Sequence, residues 1–260
     1  MAEMKSFDDL VQDAEAADVS GWGFGWLAGR ATEACPPWGY ARLLAQRLAG
    51  VGSALDLDTG GGEVLGEAPQ FPAILCATEA WPPNAIKARE RLGPRGVKVV
   101  EVAADAALPF ADASFDLVTS RHPVRPDWAE IYRVLRPGGN YFAQHVGPAS
   151  AFELIEHFLG PLPDQRPMRD PHNEAAAAER AGLRVTDLRT ARCPMLFHDV
   201  GAVVWILRKC VWWVPDFSVV KYRNALLALD REMRQGRPFA AHSTRHLIEV
   251  QRPWKNRRNP

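Results

Sequence analysis

The stretch Ala54-Leu55-Asp56-Leu57-Asp58-Thr59-Gly60-Gly61-Gly62-Glu63 limits the possible folds more than any other part of the chain. An apolar run ends in acidic residues, passes through three glycines and continues into Glu63-Val64-Leu65, which can open a helix. A strand-to-helix turn of this kind needs glycine: without a Cβ the backbone bends sharply at positive φ and leaves its peptide groups open to a ligand. Nucleotide-like cofactors are held at such turns, at the carboxyl edge of a parallel sheet. Ala73-Ile74-Leu75-Cys76-Ala77-Thr78 predicts the next strand, and Glu79 stands at its end, 23 positions after Asp56. That is close to one βαβ step, and a carboxylate there can accept two hydrogen bonds from a ribose diol.

The following residues extend the pattern. Val97 to Ala104 reads as a third strand, ending in Asp105. Leu108-Pro109-Phe110-Ala111-Asp112-Ala113-Ser114-Phe115-Asp116-Leu117-Val118-Thr119-Ser120 reads as a turn and a fourth strand. A helix carrying Ile131-Tyr132-Arg133-Val134-Leu135 is stopped by Arg136-Pro137-Gly138-Gly139, and Tyr141 to Val146 forms a fifth strand. This order of glycine-rich turn, Glu, Asp, LPFADASFDLVTS and VLRPGG resembles the class I S-adenosylmethionine-dependent methyltransferases, of the small type often called type 11. The resemblance covers about residues 50–147. A nicotinamide site fits less well, because Leu65 occupies the place of that fingerprint's third small residue and Gly66 falls one place late.

The resemblance implies an α/β fold: a Rossmann-like, seven-stranded, mostly parallel sheet with helices on both faces, and S-adenosyl-L-methionine as cofactor. It places Asp56 near the cofactor's amino group, Glu79 on the ribose with Ala80 and Trp81 flanking the sugar or adenine, and Asp105 with the Ala106 amide on the adenine edge. Thr59, Gly60, Gly62, Ser120 and Arg121 complete the expected cofactor contacts. One position departs from the family's Gly-x-Gly-x-Gly turn: Asp58 replaces the first glycine. Asp tolerates positive φ better than a β-branched residue, and its carboxylate can face the ligand's ammonium or sulfonium. Residues just past the fourth strand face the transferable methyl in the family. There His122 is the first candidate general base, with an ordinary imidazole pKa near ~6.5, and His145 at the end of the fifth strand is the second. Transfer can also proceed with neither, by an in-line nucleophile held in a dry pocket.

Composition bounds the rest. A chain of 260 residues with 47% hydrophobic content can bury a large core. Charge balances at 31 basic against 31 acidic residues, so no global field draws in a phosphate backbone, and a nucleic-acid partner is not expected. Cys35, Cys76, Cys193 and Cys210 form no CxxC pair; free thiols in a reducing compartment are expected, with no metal. The N-terminus lacks the apolar core of a signal peptide, and no run reaches the ~20 apolar residues that span a bilayer. A cytoplasmic location without membrane contact is the expectation.

The chain divides, on this reading, into a lid segment over 1–50, a core over 51–192 and 240–251, and a helical cap insertion over 193–239, all in one domain. Phe7 to Ala17 predicts a helix; Trp22, Phe24, Trp26 and Trp38 either line a lid or plug the core edge, and Arg30 to Glu33 with Tyr40 can place polar groups on the same pocket. Further helices are expected around 37–50, 151–159 and 174–181, with a sixth strand over 183–189. The insertion holds Val203 to Leu207, Val211 to Pro215 and a helix from Val219 to Arg234. It can form an extra core layer, a homodimer surface, a substrate roof or a membrane grip, and a helical cap over the carboxyl edge is expected. Ser243 to Gln251 is the last strand, antiparallel between the fifth and sixth, and the tail 252–258 is basic. The expected function is methyl transfer to a small apolar or aromatic acceptor, at O, N or C. An RNA methyltransferase supported by Arg89, Arg91 and Arg95, and a protein that binds the cofactor without transferring methyl, are the alternatives.

Overall fold

The computed structural model describes residues 5–21, 23–103 and 106–254. Trp22, Asp105 and the basic end 255–258 therefore lie outside the described residues. In chain order the elements are α1 (Phe7–Ala16), β1 (Ala31–Glu33), α2 (Tyr40–Ala49), β2 (Ser53–Leu57), α3 (Glu63–Gly66), β3 (Ile74–Glu79), α4 (Pro82–Leu92) and β4 (Lys98–Glu101). They continue with β5 (Phe115–Arg121), α5 (Trp128–Val134), β6 (Leu135–Val146), α6 (Phe152–Leu159), α7 (Pro171–Arg180), β7 (Arg184–Phe197), α8 (Val200–Lys209), α9 (Val219–Arg234) and β8 (Phe239–Gln251).

The chain forms two compact units. The larger comprises Pro36–Pro148, Arg169–Ala191 and Arg245–Pro260. Its strands run in the order β7-β8-β6-β5-β2-β3-β4. From β6 to β4 the pairs are parallel, and β8 is antiparallel to β6. The seven strands and the inserted last strand agree with the expected topology. Alternation along each central strand sends neighbouring residues to opposite faces. Ala54, Leu117, Phe142 and Leu247 pack with Leu44, Leu48 and Leu92 of α2 and α4. Leu55, Val118, Tyr141 and Ile248 pack with Trp128, Ile131 and Val134 of α5. With both faces covered, β2 is buried over four successive residues, which is why it reads as an apolar run rather than an alternating one.

Local chemistry sets the boundaries. Asp127 caps α5 by accepting from the backbone N–H groups of Ala129 and Glu130, both at 3.1 Å. β6 begins at Leu135, six residues earlier than expected at Tyr141. Gly138 donates its N–H to Arg252 O at 2.7 Å and Gly139 O accepts from Arg252 N at 2.9 Å, so the RPGG turn is stitched to the chain after β8 instead of standing as a stop. At Gly62, φ is +76° and an added Cβ would lie 2.7 Å from Leu92 Cδ1. Gly62→Ala should cost about 1–3 kcal/mol from left-handed strain and overpacking together; an unchanged denaturation midpoint would refute this packing.

The smaller unit comprises Met1–Cys35, Ala149–Met168 and Arg192–Thr244. β1 pairs antiparallel with the end of β7, Ala31 opposite Phe197, an element not expected from sequence. α8 is buried at every position except Arg208, so Val203 to Leu207 are interior residues of this unit. Trp205 stacks on Trp26 at 5.7 Å and meets the edge of Phe24 at 6.2 Å. Arg208 donates to Ala14 O and Ala17 O, and Lys209 Nζ donates to Val19 O, Ser20 O and, at 2.8 Å, Gly21 O. The aromatic N-terminal segment and the apolar insertion thus share one core. α9 occupies the expected Val219–Arg234. Among the described residues no helix is long and apolar enough to cross a membrane.

Candidate functional site

The glycine turn after β2 folds as its composition requires. Asp58 has φ +54°, Gly60 +63° and Gly62 +76°, so the aspartate in place of the first glycine holds the left-handed conformation expected of that position. Thr59 N donates to Thr78 O at 2.9 Å, tying the turn to the end of β3. Glu79 completes the tie: Oε2 accepts from Gly60 N at 2.8 Å and Oε1 from Trp81 N at 2.9 Å. Each oxygen keeps a lone pair in reserve, since an ionised carboxylate offers about four acceptor sites. Glu79 is therefore a brace for the turn that keeps acceptor capacity to spare.

Asp56 lies one residue inside the turn, buried, and opposite Thr119 in the parallel register of β2 and β5. Thr119 Oγ1 donates to its Oδ1 at 2.6 Å. Burial pushes the Asp56 carboxyl up to about 6, against the hydroxyls of Thr119 and Thr59 and with the Asp58 charge adding to the rise. Asp58 is raised too, by desolvation and then by the charge of Glu79. Its residue surface as a whole is exposed. Three acidic groups thus crowd one turn. Such a cluster is relieved by a cationic ligand.

Other expected positions divide. Thr59 Oγ1, near enough to Asp56 to lower its carboxyl, and Ser120 Oγ, near enough to Tyr141 to act on its hydroxyl, are buried and meet no partner in good hydrogen-bond geometry, the state of groups that a ligand would satisfy. Ala80 follows Glu79 directly, whereas the Ala106 amide donates to Ala103 O at 3.0 Å and closes a local turn. Asp105, its expected companion, is outside the described residues. Braced diol acceptor, acidic cluster, orphaned Thr59 hydroxyl and bare glycine backbone fit an adenosyl ligand carrying an ammonium or sulfonium. Because Asp56 must ionise to pair with that cation, affinity for S-adenosylhomocysteine should fall as pH drops below about 6, by up to about tenfold per unit. The same shift has the opposite sign for the empty fold: a pKa raised from 3.8 to about 6 means the native state gains stability as pH falls through that window. Asp56→Asn should remove both dependences in calorimetric titrations from pH 5 to 8.

The two histidines differ from their sequence expectation. A pKa near 6.5 does not hold for His122: burial, then the charges of Arg121, Arg245, His145 and Arg169, push it down to about 2. It sits at φ +59°, strained for a residue with a side chain, at the end of β5. Its ring is held by a relay that sequence reasoning missed. Trp38 Nε1 donates to Gln144 Oε1 at 2.8 Å, and the Gln144 amide nitrogen meets His122 Nε2 at 3.0 Å. Beside the relay, Tyr40 donates to Ser120 O at 3.0 Å instead of opening into a pocket.

His145 is 2% exposed and both ring nitrogens are engaged. Tyr141 Oη meets Nε2 at 2.9 Å, and Nδ1 meets Glu174 Oε2 at 2.5 Å. The same carboxylate oxygen receives His246 Nε2 at 2.8 Å. Burial would raise Glu174, but hydrogen bonds from the two imidazoles hold it down to about 2; burial lowers His145. His145, Glu174 and His246 offer ligand atoms within 4.8 Å of one another, the spacing of a metal triad. As arranged, one carboxylate oxygen holds both rings, His145 is engaged on both nitrogens, and His246 Nδ1 is buried without a partner. The available signal was positional: His145 and His246 oppose each other in the β6–β8 register.

A family model described as "Methyltransferase domain" matches residues 55–143, the stretch from β2 through most of β6. Among solved structures, the YcgJ protein of Bacillus subtilis is 18% identical, with 82% of this chain and 98% of that one covered and a TM-score of 0.60. The cyclase SpnF is 17% identical over 82% of this chain and 80% of its own, at a TM-score of 0.52. Geranyl diphosphate methyltransferase, in complex with GPP and sinefungin, is 16% identical over 82% and 77%, at a TM-score of 0.50. At these identities the likeness is one of fold. No curated protein matches the sequence.

Proposed function

We propose that this chain, whose residues 55–143 match a methyltransferase domain, is a class I S-adenosylmethionine-dependent enzyme that moves the methyl group of that cofactor onto a small molecule, in the cytoplasm. The observation that carries this is the Glu79 brace: one carboxylate fixes both the glycine turn and the start of α4 while keeping acceptor sites for a ribose diol. Asp56 and Asp58 would hold the ammonium end, and Thr59 Oγ1 would take a hydrogen bond. When bound, S-adenosylmethionine supplies a methyl made electrophilic by its sulfonium. The chain's part is to hold the acceptor in line at the ends of β5 and β6, and to keep water away from it.

Support for an RNA substrate weakens at the arginines named for it. Arg89 pairs with Glu101 at 3.6 Å, Arg91 pairs with Glu63 at 2.7 Å and donates to Gly61 O, and Arg95 donates to Gly66 O and Ala68 O. A second reading is cofactor binding without methyl transfer; the same fold occurs in a protein named as a cyclase. Incubation with trideuteromethyl-labelled cofactor, cell extract and, separately, total RNA separates them. Label on small molecules supports the proposal; label on RNA alone, or binding with no label anywhere, overturns it.

A further inference from the structure

The carboxyl edge of the sheet in the larger unit is electrically divided. Asp56, Asp58 and Glu79 stand at the ends of β2 and β3. One strand over, about 4.8 Å away in the hydrogen-bonding direction, β5 ends in Arg121 and His122 follows it. On β8, Arg245 opposes Val146, the last residue of β6. Arg169 brings a third positive charge to the His122 ring. Arg121 and Arg169 make no salt bridge among the described residues, and Glu174 is already shared by two imidazoles.

The relay fixes what His122 can offer. An indole N–H only donates, so the Gln144 atom that meets Trp38 is the carbonyl oxygen, and its other amide atom is the donor nitrogen. That nitrogen meets His122 Nε2, which must then be the unprotonated, accepting nitrogen. The neutral ring carries its proton on Nδ1. His122 presents a donor, and its accepting nitrogen is occupied. Ser120 Oγ, two residues earlier, is buried and meets no partner in good hydrogen-bond geometry. This end of the edge therefore collects donors and cations: His145 is saturated on both nitrogens, and the one accepting nitrogen left beside it, His246 Nδ1, is fully buried.

We propose that the methyl acceptor is a small carboxylate, held by His122 Nδ1–H, Arg121 and Arg169, and that its anionic oxygen is the nucleophile. This rests on the methyltransferase reading above. The carboxylate oxygen gives a lone pair to the methyl carbon while the carbon–sulfur bond breaks with its electron pair left on sulfur; a methyl ester and a neutral thioether result. No proton moves, so the step needs no base. Cation and anion cancel as the bond forms, and a desolvated site with fixed donors favours that step.

The test uses the full chain with trideuteromethyl-labelled cofactor and a panel of aliphatic and aromatic carboxylic acids beside their matched amides and amines. Labelled methyl esters, with amides inert, are expected. Label on nitrogen or carbon only, or on no acid of the panel, overturns the proposal. Arg169→Gln should raise KM for the acid on the order of 10-fold and leave S-adenosylhomocysteine affinity within about threefold; equal loss of both overturns the assignment. Independently of turnover, ¹⁵N spectra should show the His122 proton on Nδ1 and unchanged from pH 5 to 8. A proton on Nε2, or titration in that range, contradicts it. If S-adenosylhomocysteine binds but the acids stay unlabelled, only the acceptor class falls; if it does not bind, the methyltransferase reading itself falls.

Discussion

Glu79→Ala is expected to weaken S-adenosylhomocysteine binding by at least ~100-fold while the chain still folds. The carboxylate does two things at once. It accepts the backbone N–H groups of Gly60 and Trp81, at 2.8 and 2.9 Å, and so holds the glycine turn against the start of α4. It also offers the remaining lone pairs to a diol. Hydrogen bonds to a charged acceptor are each worth about 1.5–3 kcal/mol, so loss of two ligand bonds alone corresponds to two decades or more in Kd. Glu79→Gln should fall between, since its amide keeps one carbonyl acceptor and places a donor where an acceptor was. Calorimetric titration of both variants, with thermal unfolding alongside, checks this. An alanine variant that binds like the parent would show that the turn holds no adenosyl ligand.

Glu174→Leu is expected to be the most destabilising single change in the larger unit. One carboxylate oxygen receives both His145 and His246, which are 2% and 0% exposed. Removing it strands two buried imidazole N–H groups. Each buried donor left unsatisfied costs about 1–3 kcal/mol, and the two together correspond to on the order of 10 °C in Tm for a chain of this size. Glu174→Gln keeps an acceptor and should recover part of the loss. The pH dependence carries a defined sign. The Glu174 carboxyl is held below its ordinary 4.5, at about 2, so its contribution is present above 4.5 and disappears as pH falls from there toward 2. His145, lowered by burial, acts in the same direction at higher pH: the unfolded chain takes the proton first, and stability falls on acidification from about its ordinary 6.5. Glu174→Leu should flatten the lower part of that profile in chemical denaturation series. A variant as stable as the parent, with the same acid profile, would mean the triad contributes nothing to the fold.

Much of the architecture was legible because its signals are local. Three glycines after an apolar run fix a strand-to-helix turn wherever they occur, and Asp58 occupies its left-handed position because aspartate tolerates positive φ. Helix boundaries at Asp127 and Val219 follow from capping chemistry and periodicity within a few residues. What escaped depends on pairing between distant segments. Trp38 and Gln144 are 106 positions apart, and nothing in either neighbourhood announces their bond. His145 and His246 are joined only through the register of two antiparallel strands, and Glu174 reaches them from α7. β1 is three residues long and exists because β7 supplies its partner. The histidine pKa values escaped for the same reason: an ordinary imidazole pKa assumes a solvated ring, whereas His122 is buried and crowded by cations and His145 is enclosed.

The central claim is that Asp56, Asp58, Glu79 and the glycine backbone between them form one adenosyl-binding turn. Isothermal titration of the purified chain with S-adenosylhomocysteine at pH 7.5 tests it most directly. One site per chain is expected, with Kd on the order of 10 μM, inside the usual range for enzyme ligands. No heat of binding up to millimolar ligand would contradict it.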